Sequence, residues 1–301
     1  MRYFAIFIAC LCLFLLPLQL IKQQKSTTLP TEIEKECKIE IQVEGLPEPL
    51  SLEEYIVGVV SAEMPSSFHK EALKAQAIAA RTFALKTTNF GDLPIKPTVS
   101  HQAFIPKEKQ TNNETVKAAV AETASQVMTY NDELITAMFF STSNGLTESA
   151  QSYSGFDIPY LISTESNGDE LSPKFQQQKK FTLNEWNKAF GFIWTAELLE
   201  SIELQQNSSK RIQTMSTKNH KWTGREIREI LDLPSTDFLI EVDGPQITVS
   251  TKGYGHGVGM SQYGANAMAN EGKDAKDILH HYYKETEIKN LQTLNPACLK
   301  P

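Results

Sequence analysis

The apolar positions of the chain fall into segments of different period. Residues 4–21 form an uncharged run broken only by Pro17 and Gln19. Eighteen helical residues rise about 27 Å, just enough to cross a bilayer. Residues 22–36 are polar and read as a tether. Ile39, Ile41 and Val43 then alternate with polar residues, the period of a half-buried strand. Residues 51–60 are short and amphipathic, a helix or turn. Residues 70–87 run without Gly or Pro, with Ser66 or Ser67 as cap, and Ala75, Ala77, Ala79, Ala80 and Ala84 cover several faces. Such a helix suits a central position, packed closely on more than one side.

A second helix is expected over 114–126, with strands at 127–130 and 134–141 joined by a turn at Asn131-Asp132. Residues 141–157 are polar and contain glycine, a loop, and 163–180 are a composition break. Thr182-x-x-Glu185 and Thr223-x-x-Glu226 are capping boxes that each open a short helix. A further amphipathic helix and a strand near 211–216 lie between them. Residues 165–245 therefore read as a small subdomain inserted into a main domain spanning 37–295. Ser261 caps a helix to about Asn270, Gly272 ends it, and the last helix runs from Asp274 or Ala275 to Tyr283. With no βαβ rhythm and no fixed repeat, the fold class is α+β, with a central Ala-rich helix, mixed strands and the insert.

Composition narrows the setting. A net charge of −7 over 301 residues is not the basic footprint of a nucleic-acid binder, so nucleic acid is excluded as a partner. No small-x-small site precedes Lys22, which favours an uncleaved single-pass membrane anchor at 1–21 over a cleaved signal peptide. Arg2 precedes the run while Lys22 and Lys25 follow it, so charge alone does not orient it. A short N-terminus ahead of a long body points to a body outside the cytoplasm. Cys10 and Cys12 lie in the apolar run, leaving Cys37 and Cys298 as one disulfide or two thiols. No Cys-x-x-Cys is present, which excludes a zinc site of that type.

The densest chemistry lies between Gly253 and Gly264, where five of 15 glycines fall in twelve residues. The spacing is neither Gly-x-Gly-x-x-Gly nor a phosphate loop, and Ser261 lacks the frame of a hydrolase elbow. His256 stands between Gly255 and Gly257, where backbone can approach a ligand at positive φ or simply make a tight turn. Glu63 follows an apolar stretch and precedes Met64-Pro65. Apolar surroundings raise a carboxyl's pKa, which suits a general acid. The alternative is an exposed glutamate at a helix start, favoured by the dipole. Arg81 interrupts the Ala-rich helix and needs either an internal salt bridge or a ligand anion. Gln76 raises the same question.

Five strings, taken in order, resemble the stage II sporulation protein D family. They are SLEEYIVGVVSAEMPSSFHKEALKAQAIAARTFALK (51–86), VSHQAF (99–104), FFSTSNGLTESA (139–150), STDFLIEV (235–242) and GYGHGVGMSQYGANAMANEG (253–272), with DILHHYYKETEI (277–288) after them. The resemblance implies a membrane-anchored lytic transglycosylase that cuts the MurNAc–GlcNAc bond of peptidoglycan during forespore engulfment. Its substrate would be glycan strands stripped of stem peptides by an amidase, stage II sporulation protein P, with stage II sporulation protein M holding the pair. Glu63 would be the catalytic acid/base. Arg81, Gln76, Ser141, His256, Ser261, Gln262 and Tyr263 would serve the substrate. No cofactor is implied. Some relatives carry two cysteines and a histidine that bind zinc around FFSTSNG. Ser141, Thr142 and Ser143 stand here instead, so no metal is expected.

A single carboxyl suffices for this chemistry. Closing the sugar's own C6 hydroxyl onto C1 needs one group that gives a proton and later takes one, whereas glycosidases use two carboxylates flanking the bond. Two rival readings stay open on sequence alone. A hydrolase would use Glu148 or Asp157 as its second carboxylate. A non-catalytic glycan-binding module would instead activate the amidase.

Overall fold

The structure is a computed structural model that describes residues 39–98 and 101–294. The expected anchor at 1–21, the tether at 22–36, Cys37 and Cys298 lie outside the described residues, as do Val99 and Ser100 of VSHQAF. No helix of the described residues is long and apolar enough to cross a membrane.

The alternation at Ile39, Ile41 and Val43 buries all three side chains, although only β1 (Glu40–Ile41) pairs as a strand, with β2 (Leu50–Ser51). Ser51 accepts from the Glu54 N–H and caps α1 (Leu52–Glu63), which runs past the expected end at Val60 and so carries Glu63 as its last residue. Next comes α2 (Lys70–Thr88), whose cap is His69: its Nδ1 accepts from the Glu71 N–H at 3.2 Å. Ser66 and Ser67, the expected caps, lie in a turn closed by the Phe68 N–H on the Pro65 carbonyl. Ala72, Ala75, Ala77, Ala79, Ala80 and Ala84 of α2 are all buried, as its composition predicts.

Helix α3 (Glu114–Glu122) ends four residues early, because Ser125 takes a φ of 62° and turns the chain into β3 (Gln126–Tyr130). Asn131 and Asp132 both adopt positive φ in the turn to β4 (Glu133–Leu134). The strand expected over 134–141 is broken. Its second part, β5 (Phe139–Phe140), pairs in parallel with a distant segment rather than extending the β3 ladder.

After α4 (Ala150–Ser154) come β6 (Gln176–Thr182), α5 (Leu183–Phe190), α6 (Ala196–Glu200), β7 (Glu203–Gln206), β8 (Ile212–Ser216), β9 (Lys221–Thr223), α7 (Gly224–Ile230), β10 (Asp237–Asp243) and β11 (Gln246–Lys252). Both expected capping boxes form, at α5 and α7. Two antiparallel sheets, β10-β11-β6 and β7-β8-β9, share a hydrophobic cluster that includes Phe181, Trp186, Trp194, Ile227, Phe238 and Val249.

The chain then reaches β12 (Met260–Ser261), the parallel partner of β5, followed by α8 (Gln262–Asn270), α9 (Ala275–Tyr282), β13 (Glu287–Asn290) and α10 (Leu291–Leu294). Strand β13 joins β3 and β4 in one sheet. Around α2 pack α1, α3, α8, α9 and β3. The fold is mixed α+β with the Ala-rich helix at its centre, and α1 and α8 lean on that helix so that their ends meet.

Candidate active site

The meeting point is Glu63. The Gln262 amide, first residue of α8, donates to Glu63 Oε2 at 3.0 Å, and the Ala103 N–H donates to Oε1 at 3.0 Å. Ala103 is held there because residues 102–105 cross α1 at Gly58. The Ile105 N–H bonds the Gly58 carbonyl, and a Cβ on Gly58 would lie 2.3 Å from the Phe104 ring. Phe104 stacks on Tyr55 at 5.5 Å, and the Tyr55 hydroxyl donates to Gln102 Oε1 at 3.0 Å. Burial pushes the Glu63 carboxyl above its ordinary range, and the donors Gln262 and Ala103 offset part of that rise. Glu63 closes α1 rather than opening a helix, so the dipole, negative at that end, works against its charge.

The glycine-rich segment lies against the chain around β5 and leads through β12 to Gln262. Gly253, Gly255, Gly257 and Gly259 all have positive φ, and a Cβ on Gly259 would lie 2.0 Å from the Met138 carbonyl. The loop can therefore lie flat against the strand that leads into Ser141. The Tyr263 N–H bonds the Ser141 carbonyl at 3.1 Å, and the Tyr263 ring meets Phe68 edge-on at 5.0 Å. Glu63, Gln262, Tyr263 and Ser141 thus come together. The His256 ring packs between Phe140 and Tyr153 while its Nδ1 accepts from the Val258 N–H. Burial, with Arg228 and Arg211 nearby, pushes its pKa down to about 4, so it is neutral at pH 7.

Three expected substrate residues are placed differently. Arg81 is fully buried, and its Nε and Nη2 hold Glu53 in a bidentate pair at 2.9 and 2.6 Å while Nη1 donates to the Gln126 carbonyl at 3.0 Å. With its fork occupied and no surface in water, Arg81 serves an internal ion pair, not a substrate carboxylate. Gln76 is also fully buried, and its amide has no hydrogen-bond partner among the described residues. Ser261 is buried as the cap of α8, and its Oγ donates to Asp169. Neither presents a polar atom to solvent.

The two rival carboxylates part company with Glu63. Asp157 is exposed. Glu148 is buried, its carboxylate accepting from the Ser149 N–H, Asn207 Nδ2 and Ser209 Oγ. Glu148 lines a cavity of about 520 Å³ together with Tyr153, Asn207 and Arg225, and Glu63 is not part of that lining. Among the described residues no three His, Cys, Asp or Glu side chains converge as a metal group. Sequence reading missed Glu53, Gln102, Ala103 and Asp169. Only the glycine inside the helical pattern at 58 hinted that another segment crosses there.

The chain is similar to proteins already known. Residues 44–130 match the family model described as Stage II sporulation protein (SpoIID). The chain is 42% identical over 257 residues to "Stage II sporulation protein D" of Bacillus subtilis (strain 168), covering 80% of this chain and 75% of that protein. It is 40% identical to the protein of the same name from Bacillus amyloliquefaciens over the same shares. It is also 30% identical over 285 residues to the "Amidase enhancer" of Bacillus subtilis (strain 168), covering 77% of this chain and 40% of that protein.

Proposed function

The chain belongs to the stage II sporulation protein D family, and on that premise we propose that it is a lytic transglycosylase of peptidoglycan. One observation carries the reading: a half-buried carboxyl, Glu63, held by two neutral donors and raised in pKa by burial. Gln262 and Ala103 fix the plane of the carboxyl, so its proton has a defined direction. Protonated Glu63 gives that proton to the glycosidic oxygen as the bond from MurNAc C1 to the GlcNAc oxygen breaks. The carboxylate then takes the proton of the MurNAc C6 hydroxyl as its oxygen closes on C1. Glu63 returns to its starting state, the product carries a 1,6-anhydro end, and no water is consumed.

The placement of Glu148 favours this over hydrolysis. A water-adding glycosidase needs a second carboxylate across the bond from the acid. Here Glu148 is spent on three donors and lines a cavity in which Glu63 has no part. The test is to incubate the purified full-length chain with peptide-free glycan and weigh the products. Ends lighter by one water than hydrolysed ends support the reading; ordinary reducing ends overturn it.

The similarity to a protein named amidase enhancer favours a second reading, a non-catalytic activator of the partner amidase. A Glu63→Gln chain that activated an amidase fully while releasing no anhydro ends would support that role alongside or instead of catalysis. In either role the partners are peptide-stripped glycan and stage II sporulation proteins P and M. The body would stand outside the cytoplasm on an anchor at 4–21. A mature N-terminus beyond residue 22 in cell fractions would contradict that anchor.

A further inference from the structure

Asp169 is a buried carboxylate that the proposed chemistry does not use. Its side chain has no surface in water, yet it gathers donors from three separate parts of the chain. Oδ1 accepts from the Ser143 N–H at 2.7 Å and from Ser261 Oγ, and Oδ2 accepts from Ser166 Oγ. Ser166 Oγ in turn lies 2.9 Å from the Tyr282 hydroxyl of α9. Ser143 follows β5 and Ser261 ends β12, the two strands that pair in parallel, so one carboxylate ties both of their exits.

Ser261 is also the cap of α8, because its Oγ accepts from the Gly264 N–H at 3.4 Å. The next residue is Gln262. A Cβ on Gly264 would lie 2.2 to 2.9 Å from the Tyr282 hydroxyl, Ser166 Oγ and Asp169 Oδ2, so the first turn of α8 rests directly on this cluster. Moving the carboxylate moves the cap, and moving the cap moves the amide at Gln262.

We propose that Asp169 is a positioning residue for the acid/base group: by holding Ser261 and Ser143 it sets the first turn of α8 and so presents the Gln262 amide to Glu63. The inference rests on the reading of Glu63 given above and extends it one layer outward. The groups acting electrostatically on Asp169 include Glu170, Tyr282 and Arg211. Asp169 itself is not among the groups that shift Glu63. The hydrogen-bonded route from Asp169 to Glu63 runs through Ser261, the first turn of α8 and the Gln262 amide.

The experiment titrates the Glu63 carboxyl by ¹³C NMR in the full-length chain, with Glu63→Gln to assign the signal. Gln262→Ala removes a donor to the ionised form, so the Glu63 pKa rises. Asp169→Asn should raise it in the same direction. Ser261→Ala, which keeps the carboxylate and spares the fold if Asp169→Asn does not, should do likewise. Either change combined with Gln262→Ala should add nothing, since both act through one amide. In turnover, displacement of that amide should lower kcat about 10- to 100-fold with little change in KM. A Glu63 titration at the wild-type position in both Asp169→Asn and Ser261→Ala, or shifts that add to that of Gln262→Ala, would overturn the proposal. A wild-type chain that releases no anhydro ends would defeat the functional reading instead, and leaves the titration test intact.

Discussion

The two ends of α1 each place a glutamate against the body of the protein, and the partners differ. At the first turn, Glu53 meets the buried guanidinium of Arg81 in a bidentate pair and also accepts from the Ser125 N–H. At the last residue, Glu63 meets an amide and a backbone N–H, both neutral. The helix dipole favours a negative charge at the first position and opposes it at the second. A cation turns a carboxylate into a fastener, whereas neutral donors around a half-buried carboxyl leave it able to give and take a proton.

The largest effect that tests this contrast is on turnover. Glu63→Gln keeps size and hydrogen-bonding reach but carries no exchangeable acid. Release of anhydro ends should fall by about 10²–10⁴, the range for lost general acid–base catalysis. Binding to peptide-free glycan should persist. The Glu53→Gln chain, if folded, should retain most of its kcat. Equal losses at the two ends would erase the distinction.

The second effect is on stability, at the other end. Arg81→Met removes the guanidinium and strands the Gln126 carbonyl along with Glu53, whose side chain keeps 38% of its surface in water. That contact with water moderates the cost, which should be about 3 kcal/mol, the low end for a broken buried pair. Urea midpoints at constant m-value would measure it. Arg81→Lys should cost less but still be felt, because lysine cannot form the fork. A stable Arg81→Met chain with weakened glycan binding would return Arg81 to the substrate.

These positions were unequally legible in the sequence. Uninterrupted helical character and small residues marked α2, and the two capping boxes marked α5 and α7, because such signals are local. The strand broken between β4 and β5 was not legible, since the parallel partner of β5 lies some 120 residues away and no local pattern encodes it. The same reason hid the partners of the site. Arg81 was visibly a buried cation, but Glu53, 28 positions earlier, looks like any first-turn acid. Glu63 and Gln262 both stand out in the sequence, yet their contact, 199 positions apart, exists only in the fold.

A smaller effect separates the two ends by pH. The folded-state pKa of Glu63 lies above its unfolded value. Between those two values the unfolded chain has lost the proton that the folded chain still holds, so stability falls as pH rises through the window. Glu63→Gln should abolish that fall and leave the chain more stable than wild type above it, the opposite sign to Arg81→Met. Thermal melts across pH 4–8 would show it. Wild-type kcat should also decline as pH rises through the folded value, because the protonated form starts the reaction. Parallel pH–stability curves for wild type and Glu63→Gln would mean that Glu63 is not held as described.

The last prediction is of no effect, and it guards the comparison itself. A divalent cation near the last turn of α1 would supply the positive charge that Glu63 lacks, lower its pKa and make the two ends alike. The segment beside Tyr263 carries Ser141, Thr142 and Ser143. Its hydroxyls are engaged with neighbours: Ser141 Oγ lies 3.1 Å from Thr142 Oγ1, Thr142 Oγ1 lies 2.8 Å from Ser172 Oγ, and Ser143 Oγ accepts from the Gly145 N–H. Neutral hydroxyls are poor ligands for zinc, which is held by thiolate, imidazole or carboxylate. Dialysis against a strong chelator should therefore change neither the melting temperature nor the pH at which kcat declines, and elemental analysis of the purified chain should find zinc well below one equivalent. Loss of activity on chelation, restored by zinc and accompanied by a downward move of that pH, would place a cation beside Glu63 and make the charge at that end of α1 the ion's doing.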